Sequence, residues 1–299
     1  MKSVIGIDLG GTQLRVAKLN ADGVVLQELK SPSYGMEGPE RVVPNMISLI
    51  KQLDNYQECV GIGIGVPGPV DTIEKVMKLS SNLKGFSNYP MAKKIEDEIK
   101  IPTYIDNDAN CAGLAEALVG AGKGKPIVYY VTISTGIGGA MVVNGKLVSG
   151  KSGYAGETGN LIVDKSREPY NNLNPGAAES EAGGRALIRN GKKQFGDYVE
   201  SAKDIFDLYE KNDEKAIEIV EKLTEDLAIM FSQVAHIVDP HIFVIGGGLM
   251  KSKNLWLDKM IEKFKTYVHP GMRDVIFEEA KLKEPGIVGA AMLPLSHGL

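Results

Sequence analysis

Val4-Ile5-Gly6-Ile7-Asp8-Leu9-Gly10-Gly11-Thr12 decides how the chain reads. An apolar run ends in an acid, two glycines and a threonine, the pattern of a buried strand leading into a tight turn. Leu14 to Leu19 and Gly23 to Leu29 read as two further strands, joined by Asn20-Ala21-Asp22-Gly23. A second passage repeats the build. Ile127 to Ser134 is a strand, Thr135-Gly136-Ile137-Gly138-Gly139 its turn, and strands at Gly139 to Val143 and Lys146 to Val148 flank Asn144-Gly145. Helices follow each passage. We read an internal duplication: two α/β lobes whose equivalent glycine turns face a shared cleft.

Apolar residues at helical spacing predict helices over 40–53, 91–99 and 214–238, the last stopped by Pro240. Cys59 to Gly65, Pro102 to Asp106 and His241 to Ile245 read as short buried strands, the last running into Gly246-Gly247-Gly248. Further helices are expected at 255–268 and 286–295. The expected lobes are residues 1–117, with a C-terminal helix at about 286–299 packing back on them, and residues 118–285.

Composition narrows the chemistry. Over 299 residues, 34 Lys and Arg stand against 38 Asp and Glu, a net charge of −4. With no basic excess to neutralise phosphates, a general nucleic-acid binder is disfavoured. Two cysteines, Cys59 and Cys111, exclude a disulfide scaffold or a cysteine-rich metal site. Asp8 interrupts the place where a signal peptide needs its apolar core, and no apolar run approaches the ~18 residues of a membrane span. The expected location is the cytoplasm. Glycine is the outlier: 35 of 299, about 12% against a usual ~7%.

Those glycines cluster at strand ends. After Asp8, backbone N–H groups of Gly10 and Gly11 and the Thr12 hydroxyl can approach an oxyanion, while the carboxylate can hold Mg²⁺ through water. Thr135 and Gly136 repeat the turn without the acid, and Gly247-Gly248 would let a flat base or ribose lie against the backbone. Three such turns favour nucleotide binding over purely structural turns. Neither the P-loop nor the dinucleotide fingerprint is present, so a different geometry is needed.

Asp106-Asn107-Asp108-Ala109-Asn110 is too polar for a core. Asp108 reads either as the N-cap of a helix through Ala117 or as a general base. In the second role it takes the proton of a hydroxyl that attacks a γ-phosphate, with Asn107 orienting the alcohol. Gly65-Val66-Pro67-Gly68-Pro69-Val70-Asp71, Asn82, Glu157, Asn160 and Glu179 offer further groups to a polyhydroxylated ligand. For Glu179 alone, surface solvation is the simpler reading. The four histidines show no H-E-x-x-H spacing. Trp256 reads as helix core, and the Lys and Glu of 192–226 as a solvated helical face.

Taken in order, Asp8-Leu9-Gly10-Gly11-Thr12, Gly65 to Asp71, Asn107-Asp108-Ala109-Asn110, Thr135 to Gly139, Ala155-Gly156-Glu157 and Ile245 to Gly248 resemble the ROK family (repressors, open reading frames and sugar kinases) over essentially the whole chain. The resemblance implies an actin-like, hexokinase-like ATPase fold, built from duplicated ribonuclease H-like α/β domains around a central cleft. It also implies transfer of the γ-phosphate of Mg-ATP to a sugar hydroxyl, usually at C6. By the same resemblance Asp108 is the base, and Asn82, Asn107 and Glu157 bind sugar. Asp8 attends the metal, Gly10, Gly11, Thr12, Thr135 and Gly136 surround phosphates, Gly247 and Gly248 lie near adenosine, and the protein is a homodimer. Closure of the lobes would exclude water, which otherwise competes with the sugar.

Two departures bear on the substrate. Many members hold zinc through a His after the Gly-Glu and through three cysteines of a following loop. Here those positions are Asn160, Tyr170, Asn172 and Ala177, so no structural zinc is expected. The pattern is similar to zinc-free β-glucoside kinases acting on disaccharides such as cellobiose, with glucose and N-acetylmannosamine as alternatives. The family's regulator branch carries an additional DNA-binding domain before the first kinase strand. This sequence starts at that strand and is acidic, which disfavours a non-catalytic sugar-sensing regulator.

Overall fold

Ile5 and Ile7 of β1 (Ser3–Leu9) are fully buried, and Gly6 between them meets a helix rather than a side chain. The computed structural model describes residues 2–80 and 83–299. By contact the chain divides into two units, Met1–Tyr130 with Ala140–Gly156 and Ala280–Leu299, and Val131–Gly139 with Glu157–Glu279.

In the first unit, β1 pairs antiparallel with β2 (Gln13–Asn20), which pairs antiparallel with β3 (Val25–Pro32). After α1 (Pro39–Lys51), β4 (Ile62–Val66) joins the other edge of β1 in parallel. A small ladder of β5 (Val70–Asp71) and β6 (Val76–Met77) precedes α2 (Met91–Ile99), and β7 (Thr103–Asn107) completes the sheet parallel to β4. The order is β3-β2-β1-β4-β7. Helix α1 forms because Val42, Val43, Met46, Leu49 and Ile50 fall on one face, which packs into this unit's core. Helix α3 (Asp108–Leu118) follows β7 with no intervening residue.

The second sheet has the same plan. Strands β8 (Ile127–Ile133), β9 (Ile137–Val143), β10 (Lys146–Leu147), β11 (Ile242–Gly246) and β12 (Ile276–Glu279) give the order β10-β9-β8-β11-β12. Its outer pairs repeat the directions of the first sheet, β10 with β9 antiparallel and β11 with β12 parallel. Between β10 and β11 lie α4 (Ala178–Ala182), α5 (Gly184–Phe195), α6 (Ala202–Glu210) and α7 (Glu214–Val238); α8 (Leu257–Tyr267) follows β11. Phe231, Phe243, Phe264 and Phe277 stack and meet edge-on where α7 and α8 cover β11 and β12.

The last helix, α9 (Pro285–Ser296), belongs to the first unit. A Cβ on Gly6 would stand 2.5 Å from the Ile287 carbonyl oxygen, and one on Gly63 1.8 Å from that of Ala290. These two strand glycines therefore let α9 lie directly on β1 and β4. No described helix is long and apolar enough to cross a membrane.

Candidate active site

In the first unit, parallel pairing puts Asp8 opposite Gly65 and Gly65 opposite Asp106. The polar residues thus gather at the carboxyl ends of three adjacent strands, where open α/β sheets place their ligands. The turn after β1 is closed by Gly10 N–H donating to the Gln13 carbonyl at 2.9 Å, and Ser33 Oγ donates to the Gly11 carbonyl at 2.7 Å. Gly11 and Thr12 are exposed. Asp8 is half-buried beside Gly286, near the start of α9, and a Cβ there would lie 3.4 Å from Asp8 Oδ2.

Burial pushes the Asp8 carboxyl above the ordinary carboxylate range; Arg15 draws it back, and Asp108, Glu284 and Glu28 add to the rise. Arg15 itself is held by Glu28 at 2.8 Å and by Glu284. Burial likewise raises the Asp108 carboxyl, opposed by N–H groups of Ala109 and of Asp108 itself. One edge of Asp108 stays open to solvent while protein crowds the rest. Asp108 adds to the rise at Asp8, and a divalent cation held at Asp8 would relieve that repulsion. One or two carboxylates completed by water and phosphate is the donor set Mg²⁺ takes.

The cap of α3 is Asn107, one residue before the cap expected from sequence. Its Oδ1 accepts the Asn110 N–H at 2.6 Å, which places Asp108 in the first turn of the helix. Asp106 lies buried beneath, with Oδ1 accepting from the Asn107 N–H at 2.8 Å and from Asn110 Nδ2 at 2.7 Å; burial raises its carboxyl too.

The second unit holds the other glycine turns. Thr135 is exposed, and Gly184 and Arg185 at the start of α5 donate their N–H groups to the Ser134 and Thr135 carbonyls, at 2.8 and 3.1 Å. Glu179 on α4, assigned to sugar from sequence, accepts the Ile137 N–H at 2.9 Å through Oε2 and so braces this turn. Gly247 has φ +94°, and a Cβ there would stand 2.3 Å from the Ile133 carbonyl oxygen. The turns border a cavity of about 410 Å³, within the usual range for small-molecule sites. Apolar Ile188, Phe206 and Leu249 line it together with Thr135, Arg185 and Gly248. Trp256, fully buried, donates its indole N–H to the Leu249 carbonyl at 3.2 Å and fixes that wall.

Glu157 is exposed just before a turn of 3-10 helix, Thr158–Asn160. Asn160 Oδ1 accepts the Asn174 N–H at 3.0 Å, and its main-chain carbonyl accepts Asn174 Nδ2 at 3.4 Å. Below, Arg167 binds Asp226 through two nitrogens at 2.6 and 2.8 Å, Glu181 at 2.9 Å and Asp164 at 3.0 Å. Hydrogen bonds and ion pairs thus hold the segment where the resemblance would put histidine and cysteines. Asn82 lies outside the described residues.

Sequence reasoning missed the α5–α6 wall of the cavity. Its available signal was Ser201-x-x-Asp204, a capping box realised at the start of α6.

The sequence pattern of the ROK family matches residues 4–296. The chain belongs to the ROK family. A glucokinase of Halalkalibacterium halodurans is 29% identical over 310 aligned residues, covering 97% of this chain and 94% of the relative. Among solved structures, a ROK hexokinase of Thermus thermophilus superposes with a TM-score of 0.88 at 29% identity, covering 98% of this chain and 97% of that one. A ROK glucokinase of Streptomyces griseus, in complex with glucose and AMPPNP, gives 0.74 at 26% identity, with 97% and 98% covered. The fold of this ROK chain is that of the actin-like ATPases, two sheet-and-helix lobes of repeated plan.

Proposed function

We propose that this chain is an ATP-dependent sugar kinase that transfers the γ-phosphate of Mg-ATP to the C6 hydroxyl of a glucose-type ring, with β-glucosides such as cellobiose among its acceptors. The observation that carries the reading is Asp108, an accessible carboxylate at the first turn of α3 whose proton affinity is raised by its surroundings. A raised carboxylate is a stronger base, and Asp108 directly follows Asn107, the cap of α3. Family membership and the likeness to the glucose and AMPPNP complex support the choice of reaction.

In this reading the hydroxyl proton passes to an Asp108 carboxylate oxygen as the sugar oxygen bonds to the γ-phosphorus. The bond from that phosphorus to the bridging oxygen breaks, and ADP leaves with its electron pair. Asn107 and Glu157 bind sugar hydroxyls, joined by Gly65, Asn82 and the amide NH₂ of Asn160. Gly10, Gly11, Thr12, Thr135 and Gly136 receive phosphates, and Gly247 and Gly248 lie along the adenosine. Asp8 would hold Mg²⁺ through water, and the bound ion neutralises charge on the phosphates. Support for β-glucosides comes from Asn160, whose oxygen is engaged with Asn174 where the family's histidine contacts sugar. We also expect a homodimer, checked by light-scattering mass.

The test is ADP release with Mg-ATP across glucose, mannose, N-acetylmannosamine, cellobiose and gentiobiose. Turnover with the disaccharides supports the full reading. Turnover of glucose alone, which the likeness to a glucokinase favours, keeps the kinase and removes the β-glucoside preference. No sugar-dependent release removes the kinase and leaves a sugar-sensing regulator.

A further inference from the structure

Beneath the proposed base lies an acid that no step of the reaction uses. Asp106 is 4% exposed on β7, two residues before Asp108. Among the described residues no Lys or Arg offsets its charge, and neutral donors hold it instead. The Asn107 N–H and Asn110 Nδ2 reach Oδ1 at 2.8 and 2.7 Å, and the Ser149 hydroxyl donates to the same carboxyl. A buried carboxylate with no counter-charge is destabilising. The strand-to-helix turn does not require one, because Asn107 already caps α3.

Asn110 gives the second observation. Its main-chain N–H goes to Asn107 Oδ1 at 2.6 Å and its amide NH₂ to Asp106, while its own Oδ1 is buried with no hydrogen-bond partner. The donor end of the amide is turned to the acid, and its acceptor end is left unpaired. Two local features that work against stability thus meet at one carboxylate, a pattern that belongs to functional positions.

Ser149 ties the acid to a second segment. The Ala155 N–H closes the 149–155 turn on the Ser149 carbonyl at 3.2 Å, and a Cβ on Gly153 would stand 1.8 Å from the Val70 carbonyl oxygen. This turn is therefore packed against β5, and the chain runs directly from it into Gly156 and Glu157.

We propose that Asp106 is a positioning residue: held by Ser149, it fixes the first turn of α3 and with it the directions of Asn107 and Asp108. The proposal rests on the kinase reading of Asp108, and Asp106 itself takes no part in proton transfer. A base must lie within hydrogen-bond reach of the attacking hydroxyl, and a displacement of about 1 Å costs about 100-fold in rate.

The experiment compares Asp106→Ala, Asp106→Asn and Ser149→Ala with the wild type in kcat, in KM for Mg-ATP and in hydrogen exchange at the Asn110 N–H. Alanine at 106 should lower kcat about 100-fold. Ser149→Ala, which leaves the carboxylate in place with one bond fewer, should lower it about tenfold. Asparagine at 106 keeps an Oδ1 for the Asn107 and Asn110 donors and should recover most of the rate. The KM for ATP should stay at its wild-type value throughout, and Asn110 exchange should quicken in both alanine variants. Exchange needs no turnover, so the two readings fail separately. Absence of sugar-dependent turnover in the wild type removes the kinase, whereas unchanged Asn110 exchange in the alanine variants overturns the positioning role. Wild-type kcat in either alanine variant overturns it too, and a lowered Tm with that kcat intact makes Asp106 a structural brace only. Should Asp106→Ala fail to fold, Ser149→Ala carries the same test.

Discussion

Glu179 Oε2 accepts the Ile137 N–H at 2.9 Å, and a Cβ on Gly136 would come within 2.3 Å of that same oxygen. A carboxylate on α4 thus sets the shape of the turn that the proposed mechanism gives to phosphate. Glu179→Ala leaves the N–H without its acceptor, a loss of about 1–3 kcal/mol. We expect a lower Tm and a raised KM for ATP. Glu179→Gln, which keeps a carbonyl oxygen in reach, should recover most of both. An alanine variant with unchanged melting and unchanged KM would show that the turn holds its own shape.

Asp108→Asn separates catalysis from stability. Loss of the base should lower kcat by about 10²–10⁴-fold, while nucleotide affinity, measured by calorimetry, stays near wild type. Because the folded carboxyl is raised, the folded state holds its proton more tightly than the unfolded chain does. Its contribution to stability is therefore lost as pH rises from the ordinary carboxylate value of about 3.9 through the raised one. The Asn variant should accordingly melt higher than wild type at neutral pH, and the advantage should vanish at low pH. A variant that turns over normally refutes the base, whatever its melting temperature.

Much of this was readable in the chain because strand-end turns are local. Asp8 to Thr12 and Ser134 to Gly139 carry their own glycines and hydroxyls, and both fall where expected. Asn107 and Asp108 show the limit of local reading. Either side chain can cap a helix, and only the extension of β7 to Asn107 decides which one does. Gly6 and Gly63 were not readable as packing residues, since the helix that requires them begins at Pro285. Arg185 and Phe206 were missed because the Ser201–Asp204 capping box marks only where α6 begins, not what α5 and α6 enclose together, and the charge of the 192–226 region suggested only solvent.

Gly247→Ala should abolish nucleotide binding more thoroughly than its size suggests. The residue sits at φ +94° and the new methyl would stand 2.3 Å from the Ile133 carbonyl oxygen. The backbone must move, and Leu249 with Gly248 would move with it. ATP titration should show at least tenfold weaker binding, about 1.4 kcal/mol. Ala at Gly271, where a Cβ meets nothing within 4 Å, is the control and should bind as wild type does.

Arg167 is the remaining test of how this ROK chain holds the segment from Asn160 to Ala177. Burial works against its charge, yet the bidentate pair with Asp226 and the bond to Glu181 hold the guanidinium more firmly protonated than usual. Burial raises the Asp226 carboxyl, and Arg167 is what draws it back down. Arg167→Met therefore leaves Asp226, fully buried, and Glu181 without their main partner. Removing one member of such a cluster costs about 3–5 kcal/mol, mostly from the charge left behind. Adding Asp226→Leu removes the stranded charge and should restore a large part of the lost stability in denaturant melts. If the segment also orients Glu157, the single variant should raise the KM for sugar and leave the KM for ATP alone. An unchanged denaturation midpoint in Arg167→Met would mean that the ion cluster stabilises nothing, and that the Asn160–Asn174 bonds hold the segment by themselves.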